Sequence, residues 1–196
     1  KVKASAGFDA IAQALESMLS KKSDGQSLDY ACKSLEISTK NFLPFLNKPD
    51  LRNAAEMSIA SNLAGKAISI SKTTVPHAVS YPFTSLFNIS HGHAVSLFFE
   101  KFFKFNYENL ERSETSFDLK KRFNLIFNIF DCDNIVEFNS RISMIKKKAN
   151  LEDNLEKLDI NIKKYSENII SGVNLLRLGN NPVKINSDDI IKIISK

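Results

Sequence analysis

The sequence predicts an all-α fold, a multi-helix bundle that fills residues 1–196 as one helical domain. Three observations carry that reading. Apolar residues recur at helical spacing along most of the chain, polar capping residues stand ahead of those segments, and almost no run alternates as a half-buried strand does. Only six glycines and five prolines punctuate the 196 residues. A chain of this length buries a real core. Its 43% hydrophobic and 25% charged residues are ordinary for a water-exposed globular protein.

The elements follow in order. Ser5 is expected to cap a first helix reaching about Ser20. Ile11, Leu15 and Met18 form its apolar stripe; Asp9, Gln13, Glu16 and Ser20 form the opposite polar one. A loop over 21–27 leads to a second helix ending near Phe42. The turn Asn47-Lys48-Pro49-Asp50 makes Asp50 the cap of a long helix to about Ile70. Its Ala54, Ala55, Ala60, Ala64, Gly65 and Ala67 let another helix approach closely. Glycine inside a helix costs about 1 kcal/mol against alanine, so Gly65 is expected to answer to a packing contact.

Pro76 suits the first turn of a helix carrying His77, Tyr81 and Thr84, and Pro82 is expected to end or kink it early. A tight connection over 88–92 precedes an aromatic helix from His93 to Phe105. Helical patterns continue over 119–130, 135–149 and 155–176. Gly179-Asn180-Asn181-Pro182 then breaks the chain, and Ser187 caps a short last helix with Asp188 and Asp189 in its first turn.

Several function classes are disfavoured. No apolar run is long enough to span a bilayer, since Glu100, Lys101 and Lys104 interrupt the richest one. The opening residues lack a signal-peptide pattern. Cys32 and Cys132 make neither a metal spacing nor a disulfide framework, so reduced thiols and a cytoplasmic location are expected. The net charge of +5 is dispersed among acids. The one dense run, Lys146-Lys147-Lys148, precedes Glu152, Asp153 and Glu156 and reads as a solvated face. Neither nucleic acid nor membrane is an expected partner.

The residues that point to chemistry are Asp9, Gln13, His77 and His91. All three histidines of the chain lie in two short segments, Pro76-His77 and Ser90-His91-Gly92-His93. A carboxylate and separated imidazoles suit a divalent metal site assembled by folding. Gln13 lies one turn beyond Asp9 and points the same way; its amide oxygen is a poor ligand but can hydrogen-bond a bound water. Spacing alone supports a second reading equally: His77 caps a turn, His91 packs beside Gly92, and 9–20 is a solvated helix face.

A resemblance separates the two. Ala6-Gly7-Phe8-Asp9-Ala10-Ile11-Ala12-Gln13-Ala14-Leu15-Glu16-Ser17 resembles the metal-binding helix of the iron-containing (group III) alcohol dehydrogenases. The small-residue stretch 60–67, the segment Pro76-His77-Ala78-Val79-Ser80-Tyr81, the turn His91-Gly92-His93-Ala94 and the closing Arg177-Leu178-Gly179-Asn180-Asn181-Pro182 follow in the family's order. The strings 72–82 and 90–94 are most similar to phosphonoacetaldehyde reductase-like members.

The resemblance implies the C-terminal metal-binding domain of the dehydroquinate synthase-like fold. The family's nucleotide-binding α/β domain, which holds NAD(P)H, is expected to be absent from this chain, and the isolated domain inactive. It places Asp9, His77 and His91 at metal-ligand positions, with Gln13 where many members have a histidine ligand, so the site is expected to be completed by water or, more weakly, by the Gln13 amide oxygen. That departure shifts the expected metal from Fe²⁺ toward Zn²⁺ or Mn²⁺, with the choice among the three left open. Tyr81 replaces a histidine near the substrate and becomes the candidate proton relay, and His93 is expected to be structural. Lys72, Thr73 and Thr74 are candidates to bind a phosphonate. The implied activity is reduction of a small aldehyde, or oxidation of the alcohol, in an enzyme that often forms homo-oligomers. A lyase or synthase of the same architecture, or a helical interaction module with a relic site, stands as the alternative.

Overall fold

Most helices begin where a short polar side chain takes over a free backbone amide. Residues 1–195 are described here by a computed structural model, and among them the secondary structure is eleven α-helices and a single 3-10 turn. Ser113 and Val183 make an isolated β-bridge. The helices are α1 (Val2–Leu19), α2 (Gly25–Asn47), α3 (Leu51–Ser71), α4 (Val75–Phe87), α5 (His91–Ser96) and α6 (Phe99–Glu108). They continue as α7 (Leu119–Ile129), α8 (Ile135–Lys148), α9 (Ile162–Ser171), α10 (Leu175–Leu178) and α11 (Ser187–Ile194). Asp24 and Asp50 close reciprocal capping boxes with Ser27 and Asn53. Asn161 and Asn174 cap α9 and α10, so the expected 155–176 helix starts only at Ile162, after turns over 155–159, and breaks between Ser171 and Leu175. Asn186, rather than Ser187, caps α11.

Helix α1 runs through the middle of the protein, against α2, α3, α5 and α7. It begins at Val2, so Ser5 lies inside it, and the buried Ser5 hydroxyl accepts from the His93 amide. Phe8, Ile11, Leu15 and Met18 lie in one apolar cluster with α2, α3, α7 and α8. Phe99, Phe103, Phe123 and Phe138 extend that cluster through edge and stacked ring contacts. A second cluster joins Val79, Phe83, Phe98, Phe102 and Ile169 across α4, α6 and α9. Because other helices pack on α1, its polar stripe is solvated only in part: Glu16 and Ser20 are fully buried, Asp9 and Gln13 half-buried.

Other departures from expectation have physical causes. Helix α2 continues through Pro44 to Asn47, because Phe45 and Leu46 pack on the first cluster and hold its last turn in place. Pro82 lies inside α4 without ending it. A proline cannot donate to the carbonyl four residues back, and that carbonyl, Ala78 O, accepts instead from the Asn174 amide at 3.1 Å. The expected aromatic helix is two, α5 and α6, offset at Leu97-Phe98. Within the basic run Lys146 is buried, its ammonium bonded to Glu100, Asp153 and the Ser96 carbonyl. No helix among the described residues is long and apolar enough to cross a membrane.

Two glycines invite opposite outcomes. A Cβ on Gly92 would lie 2.1 Å from the Ser5 carbonyl oxygen and 2.8 Å from Asp9 Cβ, whereas one on Gly65 meets nothing within 4 Å. The expected close approach at Gly65 is therefore absent; the small residues that α3 buries are Ala60, Ala64 and Ala67. Denaturant unfolding should show Gly92→Ala losing about 1–3 kcal/mol and Gly65→Ala gaining about 0.5–1 kcal/mol.

Candidate metal centre

Three elements converge on one point. Helix α1 presents Asp9, α4 presents His77 in its first turn, and α5 starts with His91. One ligand-type atom from each of Asp9, His77 and His91 lies within 4.8 Å of the others. Asp9 Oδ1 is 3.3 Å from His77 Nε2 and 3.8 Å from His91 Nε2. The glycine contact at Gly92 sets this spacing, since α5 meets α1 backbone to backbone there.

The atoms that face the centre are otherwise unused. Asp9 Oδ1 and His77 Nε2 are buried and have no hydrogen-bond partner. Buried polar atoms are almost always partnered, and an uncompensated one costs about 1–3 kcal/mol. A carboxylate oxygen and two imidazole nitrogens aimed at one point fit a divalent ion of the Fe²⁺ or Zn²⁺ kind.

A buried scaffold holds these atoms in place. Glu16, with no solvent exposure, has Oε1 2.5 Å from His77 Nδ1. Its Oε2 accepts from the Thr74 amide at 2.7 Å and the Thr74 hydroxyl at 2.9 Å. A carboxylate at Nδ1 keeps a proton on that nitrogen, so the proton that an ion would displace is the one on Nε2. Gln13 Nε2 donates to Asp9 Oδ2 at 2.7 Å, which turns Oδ1 inward. Gln13 thus orients the carboxylate through its nitrogen.

Charge follows from this packing. Burial works against a proton on His77, but the carboxylates of Glu16 and Asp9 outweigh it and push its pKa up to about 9. Burial lowers the pKa of His91, helped by the positive charges of His77 and Arg177.

Around the centre, Tyr81 stacks edge-on to His91 with ring centroids 5.8 Å apart. The Tyr81 hydroxyl accepts from Arg177 Nε at 2.9 Å. Thr73 accepts from Arg177 Nη1 through its hydroxyl and from Asn180 Nδ2 through its carbonyl. Thr74 is committed to Glu16, and exposed Lys72 donates to the Ser69 carbonyl. His93 sits apart, its Nε2 2.6 Å from the Glu152 carbonyl oxygen. Sequence reasoning missed two residues. Glu16 was legible as the third member of Asp9's face; Arg177 opens the closing motif, but nothing local pointed to its contact with Tyr81, 96 residues away.

The profile of the Fe-containing alcohol dehydrogenase family, C-terminal, matches residues 3–196. The chain belongs to this family. The 4-hydroxybutyrate dehydrogenase of Clostridium kluyveri is 25% identical over 193 residues, 96% of this chain and 51% of that protein. The phosphonoacetaldehyde reductase of Streptomyces viridochromogenes is 25% identical over 101 residues, 51% of this chain and 26% of that protein. The archaeal Red Sea brine pool alcohol dehydrogenase ADH/D1 superposes with a TM-score of 0.88 at 21% identity, over 99% of this chain and 50% of that one. Sulfoacetaldehyde reductase from Bifidobacterium kashiwanohense, solved with NAD⁺, gives 0.85 at 23% identity, over 99% and 49%. This iron-containing alcohol dehydrogenase family chain thus spans about half the length of the relatives it matches.

Two measurements check the centre. Zn²⁺ competition against a chromophoric chelator should show Glu16→Gln weakening binding about 10- to 100-fold, the cost of losing a carboxylate behind a ligating histidine. Equal affinity would remove Glu16 from the site. In chelator, NMR should find His77 titrating near 9 and His91 below 6.5. The raised His77 value stabilises the metal-free fold fully below 6.5, a contribution lost as pH rises through about 9.

Proposed function

We propose that this chain is the metal- and substrate-binding part of an NAD(P)H-dependent alcohol dehydrogenase that reduces small aldehydes. The single observation that carries the reading is the pair of buried, unpartnered atoms, Asp9 Oδ1 and His77 Nε2, beside His91. In this reading Asp9, His77 and His91 hold Fe²⁺ or Zn²⁺, with Mn²⁺ a third option, and residues outside this chain hold the nicotinamide. When bound, the ion supplies Lewis acidity at the carbonyl oxygen.

The chain's own residues do the rest. Glu16 and Gln13 fix the ligating atoms before substrate arrives, so little reorganisation accompanies reaction. A nicotinamide held outside this chain would supply hydride to the carbonyl carbon, and the oxygen would then need a proton. Tyr81 is suited to give it, because its oxygen accepts from Arg177, its own hydroxyl hydrogen is left free to donate, and its ring lies against His91. The names of the relatives support phosphonoacetaldehyde as the first substrate to test, with the semialdehyde corresponding to 4-hydroxybutyrate beside it.

The test is turnover by the full-length protein with NADH or NADPH across an aldehyde panel. Activity should vanish on chelation and return with one divalent metal, and Tyr81→Phe should lower kcat by about 100-fold or more. Metal-loaded protein that oxidises neither nicotinamide with any aldehyde would sink the proposal.

A further inference from the structure

We infer that Arg177 binds the far end of the substrate, and that the site takes short carbonyl compounds ending in a carboxylate, sulfonate or phosphonate. The inference rests on the carbonyl-reducing reading of this cleft and adds the residue that selects within it.

Arg177 is a half-buried guanidinium without a counterion: among the described residues no carboxylate forms an ion pair with it. Its side-chain partners are two neutral hydroxyls, Tyr81 through Nε and Thr73 through Nη1. The remaining nitrogen, Nη2, makes no hydrogen bond among the described residues. A positive charge partly removed from water favours an anionic partner, and the planar guanidinium fork matches oxyanion geometry.

Its placement is specific. The guanidinium carbon stands 5.6 Å over the Tyr81 ring, whose other neighbour is His91. Tyr81 and His91 are both partly exposed, so this row of side chains borders solvent beside the metal cluster. A molecule with its carbonyl at the cluster and its tail along Tyr81 would bring that tail to Arg177.

The arginine is held ready. Asn174 caps α10 by accepting from the Arg177 amide at 3.0 Å, while the Asn174 amide is fastened to Ala78 O of α4. The side chain is then fixed by Tyr81 and Thr73. Prior fixing lowers the ordering cost of binding. Thr73 thereby acts by orienting the arginine.

The opposing reading makes Arg177 a clamp between α10 and α4 with no role toward ligand. Calorimetry on metal-loaded full-length protein separates the two, with succinate, sulfoacetate and phosphonoacetate as anionic probes and 1,4-butanediol as the neutral one. The wild type should prefer the anions. Arg177→Gln should weaken them roughly 10- to 100-fold, as expected for a lost charge-assisted bond, and Arg177→Lys should recover part of the loss. Unchanged anion affinity in a folded Arg177→Gln protein overturns the inference.

Turnover then compares succinic semialdehyde with butanal. The ratio of their kcat/KM values should fall at least tenfold in Arg177→Gln, mainly through KM for the semialdehyde. Equal losses on both aldehydes identify a clamp and overturn the inference. Arg177-dependent anion binding without nicotinamide turnover would leave the anion site standing and remove the carbonyl-reducing reading.

Discussion

A carboxylate with no exposure to solvent must find its partners inside the protein, and Glu16 finds them all at one place. It takes the first free amide of α4 through Thr74, the hydroxyl of the same residue, and Nδ1 of His77. The interaction does three structural jobs at once. It satisfies a helix N-terminus, places negative charge where the helix dipole favours it, and joins the central helix to the one carrying the buried histidine. Removing it would leave the Thr74 amide, the imidazole and the carboxylate all without partners. The remaining parts of the site are then local adjustments: Gln13 turns Asp9, and Gly92 sets how near His91 can come.

Pro82 supplies a second joint by subtraction. Because its ring has no N–H, α4 offers an unused carbonyl at Ala78, and the start of α10 fills it. Gly172, whose Cβ would lie 2.9 Å from Pro82 Cβ, lets the chain pass close enough to do so. A helix of four residues has no intrinsic stability in water. Helix α10 therefore takes its position from α4 and from its Asn174 cap, and Arg177 takes its position from both.

Much of this was legible in the residues. Helical periodicity and capping chemistry located most helices, with Asp50 opening α3 and Pro76 in the first turn of α4. Asp9, His77 and His91 stood out by residue type, and the fold brings the three together. What was not legible depends on surroundings. A polar stripe at helical spacing is compatible with a solvated face, and only the packing of α2, α3, α5 and α7 around α1 shows that Glu16 and Ser20 are buried. Pro82 removes a hydrogen bond as expected, but only tertiary structure shows the donor that replaces it. The break within 155–176 was written in Asn161 and Asn174, whose capping role competes with a continuous apolar pattern.

The short α10 has a further implication. The groups suited to hold an ion come from α1, α4 and α5, with His77 buried and Asp9 and His91 partly exposed, whereas Arg177 rides on a brief surface element fastened at a few points. Residues 173–178 therefore join two tasks: the Asn174 amide partners the carbonyl that Pro82 frees in α4, and Arg177 holds Tyr81, so exchange of this short length of chain would change the wall of the cleft and the seating of α4 together.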